Sequence, residues 1–267
     1  MTFSKYELKK SWADLTDGFK KHEVWSALAF EDIRSRYMRS FGGIGWIFLS
    51  FAFFVLVKII IFGPTSGKNS AFFGPYVVIG FFIYMFMSTT IQEGCATFIS
   101  AKGWIKGAKI PLSVFALKAL ARNCILAAIN FLVVILVILY FKPDITWFAL
   151  WSFPLFGLLI LNGIWVTLMF ATIGARYRDF VHACNTVMRV MLFLTPIFWV
   201  PENIGPMWDK LLKYNPLSHF LILVRDPVLY HRIPMDSFIV VLSITVVGFV
   251  TSAFVFIYGR PRVPFWI

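Results

Sequence analysis

Charge is scarce in this 267-residue chain. Only 14% of its residues are Asp, Glu, Lys or Arg, roughly half the usage of a soluble domain, which excludes a water-soluble enzyme. Acidic residues are scarcest, 13 against 25 Lys and Arg. None lies inside an apolar run, so no carboxylate pair is offered as an intramembrane proton relay. The chain has no Walker phosphate loop, no HExxH and no GxSxG, and is expected to hold no nucleotide and to catalyse nothing. Cys95, Cys124 and Cys184 are odd in number and lack CxxC spacing, which argues against a disulfide framework or a zinc site. His22, His182, His219 and His231 show no metal-ligand spacing either, so neither a metal nor a cofactor is expected on this chain. A secretory signal is also missing. The first 23 residues carry Lys5, Glu7, Lys9, Lys10, Asp14, Asp17, Lys20, Lys21 and Glu23 without a continuous apolar core, and this leader is expected to stay on the protein.

What the chain has in abundance is apolar surface. It is 59% hydrophobic, with 31 Phe, 10 Trp and 9 Tyr. A mean hydropathy of +0.78 excludes disorder and, despite a net charge of +12, argues against a nucleic-acid partner. Four uninterrupted apolar runs, residues 72–91, 124–141, 145–175 and 238–258, are long enough to cross a bilayer; the third is expected to bend or to extend past the membrane near Pro154. A fifth, 44–62, contains only Lys58, close enough to Gly63-Pro64 to reach outward. Residues 180–200 are long enough for another span but carry His182, Asn185 and Arg189. Residues 201–234 are broken by Pro201, Gly205, Pro206 and Pro216, leaving segments too short to cross. The expectation is an all-α polytopic membrane protein of six transmembrane helices, with short re-entrant helices between spans five and six.

Seventeen Lys and Arg fall on one side of this arrangement: eight in residues 1–40, five between 93 and 122, Arg176 with Arg178, and Arg260 with Arg262. Six fall on the other. The positive-inside rule therefore makes both termini cytoplasmic. Ahead of the first span, Trp25, Ala29, Ile33 and Tyr37 recur at i, i+4 opposite Glu31, Asp32, Arg34, Arg36 and Arg39, an amphipathic helix lying in the inner interface. The residues alone leave open whether it is an anchor or a mechanical element. The division expected is a cytoplasmic segment 1–40, a membrane domain 41–258 and a cytoplasmic tail 259–267. The membrane domain includes a cytoplasmic loop at 93–111 and an extracytoplasmic gate region at 201–234.

A set of short motifs is more specific in its order. Ala175-Arg176-Tyr177-Arg178-Asp179-Phe180 is followed by Thr195-Pro196-Ile197-Phe198, Tyr214-Asn215-Pro216-Leu217 and Arg225. Before them come Asp32-Ile33-Arg34-Ser35-Arg36-Tyr37 with Gly42, Gly45 and Trp46, and then Gly107-Ala108-Lys109-Ile110-Pro111; Pro264-Phe265-Trp266 closes the chain. Across nearly its whole length the chain thereby resembles the membrane subunit of type-2 ABC exporters, and within them the permeases for O-antigen and related cell-surface polysaccharides (Wzm-like).

The resemblance implies a homodimer in the bacterial inner membrane that recruits two copies of a separate cytoplasmic ATPase, with ATP and Mg held by that partner. The cargo it implies is a glycan on an undecaprenyl-diphosphate lipid. On this view Asp32, Arg34, Arg36, Glu93, Lys102 and Lys106 couple to the ATPase, and Pro196, Pro206, Met207, Trp208, Asn215 and Pro216 belong to an external gate. Trp46, Tyr84, Phe193 and Trp199 are the aromatics proposed to let sugar faces slide, although belts at the membrane interface are a commoner use of such rings. Arg189 either faces a cavity and meets the lipid diphosphate or sits at the cytoplasmic boundary of a span that starts later. Arg176 and Arg178 are placed to attract an anionic headgroup, with Asp179 as an alternative partner. A permease for teichoic acid, capsular polymer or a small amphiphile fits the same pattern. An ATP-independent secondary transporter would call for interior carboxylates or an inverted repeat, and neither is visible.

Overall fold

The computed structural model describes residues 5–37, 42–64, 70–200, 210 and 212–267. Among them the only regular structure is helical. Two helices, α1 (Lys5–Lys20) and α2 (His22–Tyr37), precede α3 (Gly45–Phe62). Then come α4 (Ser70–Ser100), the short α5 (Lys102–Gly107) and α6 (Leu112–Phe141). A 3-10 turn (Trp147–Trp151) leads into α7 (Ser152–Arg176), followed by α8 (Asp179–Leu194), α9 (Pro216–Leu229), α10 (Met235–Gly259) and α11 (Val263–Trp266). Five helices, α3, α4, α6, α7 and α10, are long and apolar enough to cross a membrane.

Helix α4 is the axis of the bundle. From Phe73 to Thr90 every residue except Met85 and Thr89 is buried, because α3, α6, α7, α8 and α9 all pack on it. Its 31 residues rise about 46 Å and the 30 of α6 about 45 Å, at 1.5 Å per residue. A hydrocarbon core is only about 30 Å thick. Both helices therefore project from one end of the bundle, and there they carry their polar residues, Gln92 and Glu93 on α4 and Lys118, Arg122 and Asn123 on α6.

Along the expected 145–175 span, a 3-10 turn ending at Trp151 runs directly into α7, the two making one apolar stretch of 30 residues, and Pro154 lies in the first turn of α7, where a missing N–H leaves no bond unmade. Helix α8 stops at Leu194, six residues short of the expected 180–200 run. The cause is local. Pro196 disfavours helical backbone at the residue before it, and Thr195 is extended, with φ −94° and ψ 139°. At 16 residues α8 rises only about 24 Å, and α9 with 14 about 21 Å; neither reaches across alone. Helix α9 is nonetheless almost wholly buried. Its first turns share a cavity wall with Met87 and Thr90, and beyond its last residue Tyr230 meets Phe72 edge-on, ring centres 5.5 Å apart.

Small residues set the helix spacing, as expected where lipid supplies no hydrophobic drive between helices. A Cβ on Gly174 of α7 would lie 2.0 Å from the Cys95 carbonyl oxygen of α4, whereas one on Gly157 of the same helix would meet nothing within 4 Å. Gly174→Ala is thus expected to destabilise the bundle by roughly 1–3 kcal/mol, read as a lowered Tm in detergent. Gly157→Ala should leave Tm unchanged or slightly raised. Equal responses would contradict the close contact.

Candidate functional site

Three polar constructions sit in this apolar frame. The first is a groove of about 540 Å³ between α3, α4, α6 and α8. Its walls are aromatic, with Trp46, Phe51 and Phe54 from α3 and Phe81, Tyr84 and Phe86 from α4. Hydroxyls and amides run through them: Ser50, Ser88, Thr89, Gln92, Asn123 and Asn130. Arg189 of α8 lines the same groove and is exposed. The Asn130 Oδ1 atom is buried without a hydrogen-bond partner, an acceptor at a depth where an unmet polar group is costly. Tyr84 donates its hydroxyl to the Met188 carbonyl and so ties α4 to α8.

The second is a charged cleft of about 600 Å³ at the end of the bundle that carries α2 and α5. Asp32 of α2 accepts ion pairs from Lys118 Nζ at 2.7 Å and Arg122 Nη1 at 3.1 Å. Glu93 of α4 accepts from Arg122 Nη2 at 2.6 Å. Asn123, its amide turned to suit its neighbours, adds an Nδ2 hydrogen bond to Glu93 Oε2 at 2.8 Å. One guanidinium thus joins α2, α4 and α6. Beside the cleft, Asp14 of α1 caps α6 from outside the helix. Its carboxylate accepts from the Leu112 and Ser113 backbone N–H groups at 3.2 and 3.0 Å and from Arg260 Nε at 3.0 Å. Pro111 precedes α6 and offers no side-chain cap, so the anion at the positive end of the helix dipole comes from another element.

The third construction is the break after α8. The Pro196 carbonyl, released from helical bonding, accepts from Arg225 Nη1 at 2.6 Å and from the Tyr76 hydroxyl at 3.2 Å. The Tyr76 hydroxyl also lies 3.0 Å from the Trp199 carbonyl. Arg225 is 2% exposed and lies 3.8 Å from the centre of the Tyr76 ring, whose π face supplies electron density to a cation removed from water. Asn215 fastens the other side. Its Oδ1 caps α9 at Leu217 N (3.0 Å), and its Nδ2 donates to Thr195 Oγ1 (3.1 Å).

Of the residues singled out for the substrate path, Trp46, Tyr84 and Arg189 share the groove. Phe193 points outward from α8, and its carbonyl accepts from Trp199 Nε1 at 3.0 Å, outside the groove lining. Arg176 and Arg178 are exposed; Arg176 Nε bonds the Tyr177 hydroxyl at 2.8 Å, and its guanidinium lies 5.2 Å from the Trp266 ring centre. Asp32 and Glu93 face inward to Lys118 and Arg122, Arg36 lines the cleft, and Arg34 and Lys102 are exposed. Lys106 Nζ reaches the Ile267 oxygen at 2.7 Å. Pro196, Asn215 and Pro216 meet at the break, whereas Pro206, Met207 and Trp208 lie outside the described residues. Lys58 places its ammonium over the faces of Phe54, Phe62 and Phe198. Among the described residues no cluster of three His, Cys, Asp or Glu is placed to hold a metal.

Asp14, Tyr76, Lys118, Arg122 and Asn130 were not singled out from sequence. Lys118 and Arg122 do carry a signal, being four apart and so on one face of a helix. The carboxylates they meet lie on other helices, beyond the reach of any local pattern.

The ABC-2 type transporter family matches this chain over residues 23–229, a range that takes in the groove, the cleft and the break. The chain belongs to that family. It is similar to the O-antigen export system permease protein RfbA of Klebsiella pneumoniae, 24% identical over 203 residues, covering 73% of this chain and 76% of the relative. It is also similar to the Myxococcus xanthus protein of the same name, 21% identical over 214 residues, covering 78% and 81%. The family is one of multi-pass membrane subunits, in keeping with the five crossing helices.

Because Tyr76 and Arg225 act on one carbonyl, their substitutions should not add. A double-mutant cycle of Tyr76→Phe and Arg225→Leu, read as thermal unfolding in detergent, is expected to show a coupling of about 0.5–3 kcal/mol. Additive losses would mean that the two groups hold the break independently.

Proposed function

We propose that this chain is the permease subunit of an exporter that moves lipid-linked polysaccharide of the O-antigen type across the bacterial inner membrane. Two copies pair with two copies of a separate cytoplasmic ATPase, which holds the ATP and Mg. Both termini are cytoplasmic in this reading. Helix α8 with residues 195–200 makes the remaining crossing, with α9 re-entrant at the outer end and residues 201–234 as the gate.

The observation that carries the reading is the groove, considered together with what the similar proteins are named for. A glycan shows apolar C–H faces and polar edges. The groove alternates rings such as Trp46 and Tyr84 with amides and hydroxyls of Gln92, Asn123 and Asn130, a lining that suits sliding because no single contact is deep. Cargo recognised through its lipid diphosphate would meet Arg189, and Arg176 and Arg178 at the inner face. The motor's push would arrive at α2 and α5. Asp32 joins α2 to α6, and Arg122 passes the link to Glu93 of α4, so a displacement of the interfacial helix is carried into the two longest helices as rigid-body motion. Arg34, Arg36, Lys102 and Lys106 belong to the same docking face.

Deleting the gene tests the reading. Lipid-linked glycan should accumulate inside the cell while surface polysaccharide disappears. Unchanged surface glycan would overturn it, and loss of teichoic acid, capsule or drug resistance instead would assign another cargo.

A further inference from the structure

The groove and the charged cleft are neighbours through a single step in sequence on two helices. Gln92 and Asn123 line the groove, while the adjoining Glu93 and Arg122 line the cleft. The Arg122–Glu93 ion pair therefore stands between a compartment open to the polar end of the bundle and the aromatic path through the membrane. The cleft is also unequally charged. Arg36, Lys118 and Arg122 face it against Asp32 and Glu93, one cation in excess, and the Arg122 Nε atom is buried with no acceptor.

We propose that Lys118 and Arg122 form the loading site for an anionic diphosphate group, which Asp32 and Glu93 occupy as internal stand-ins until the ligand arrives. A diphosphate presents more oxygen acceptors than either carboxylate, so it can engage Lys118 Nζ and the Arg122 fork together and satisfy the unused Nε donor. Displacing Glu93 from Arg122 opens the partition, and displacing Asp32 exchanges the resting joint between α2 and α6 for one made through the bound headgroup. Binding of the headgroup and the change of joint at the interfacial helix become one event. This rests on the export reading for its orientation and for a membrane-borne source of the diphosphate; the site itself rests on the two cavities and their shared ion pair.

The two carboxylates make the idea testable by sign. Full-length protein in lipid nanodiscs is titrated with farnesyl diphosphate, inorganic pyrophosphate and farnesol. Lys118→Gln and Arg122→Gln should each weaken farnesyl diphosphate binding by about tenfold or more, whereas Asp32→Asn and Glu93→Gln, which remove the competitors, should tighten it. Arg36→Gln, exposed at the rim, keeps the test valid if a substitution of Arg122 prevents folding, and should weaken binding severalfold. A purely structural joint predicts that all substitutions weaken binding in step with lowered Tm, and that result, like absence of diphosphate binding to the native chain, would overturn the proposal. So would binding of farnesol as tight as that of the diphosphate. Competition by inorganic pyrophosphate supports recognition of the free anion, and competition only by the lipid-borne form supports a headgroup presented from the membrane. If the deletion strain loses surface glycan but no diphosphate binds, the export reading stands and this site falls. If the sign split appears while surface glycan persists, the site stands and the cargo is another diphosphate.

Discussion

In hydrocarbon a polar group has no water to turn to, so whatever enters must be met from within the chain. That constraint arranges the whole bundle. Asn162 of α7 and Thr245 of α10 satisfy each other at 2.8 Å, and Trp165 closes the remaining Asn162 acceptor. Where Pro196 breaks α8, the carbonyl set free is met at once by Tyr76 and by Arg225, a buried cation that is itself stabilised by a ring face and a carbonyl rather than by a carboxylate. The remaining ion pairs of α2, α4 and α6 are gathered where those helices leave the apolar zone.

The same sorting divides the mechanics. Outside the apolar zone, a few charge-assisted contacts fasten α1 and α2 to the ends of the spans. Asp14 binds the start of α6 and the residue that follows α10, and Asp32 binds the side of α6. Inside it, helices approach on glycines and stack through aromatic faces.

The five crossing helices were legible in the sequence because each holds a long apolar run, four of them without charge and the fifth interrupted only by Lys58, and hydropathy alone finds such runs. A helix ahead of the first span was legible too, and Ala29 and Ile33, two of the four residues expected on its apolar face, are its buried residues. The end of α8 was not. Composition carries residues 180–200 as one apolar run, and only the restriction that Pro196 imposes on Thr195 stops the helix. Trp46, Tyr84 and Arg189, which share the groove, could be singled out because a ring or a charge in a span attracts attention singly. Lys118 and Arg122 were read as topology markers because their meaning lies in Asp32 and Glu93, 86 and 29 positions away from Lys118 and Arg122 respectively. Such contacts are made by the packing of α2 and α4 against α6 and leave no trace in spacing.

The central claim is that this polypeptide is a conduit whose work is supplied by a separate nucleotide-driven subunit. Reconstitution of the purified chain in proteoliposomes loaded with lipid-linked glycan tests it most directly, with ATP present and the cognate ATPase either added or withheld. The account predicts translocation only with the ATPase, and none from the chain alone; translocation against a gradient by the chain alone would contradict it.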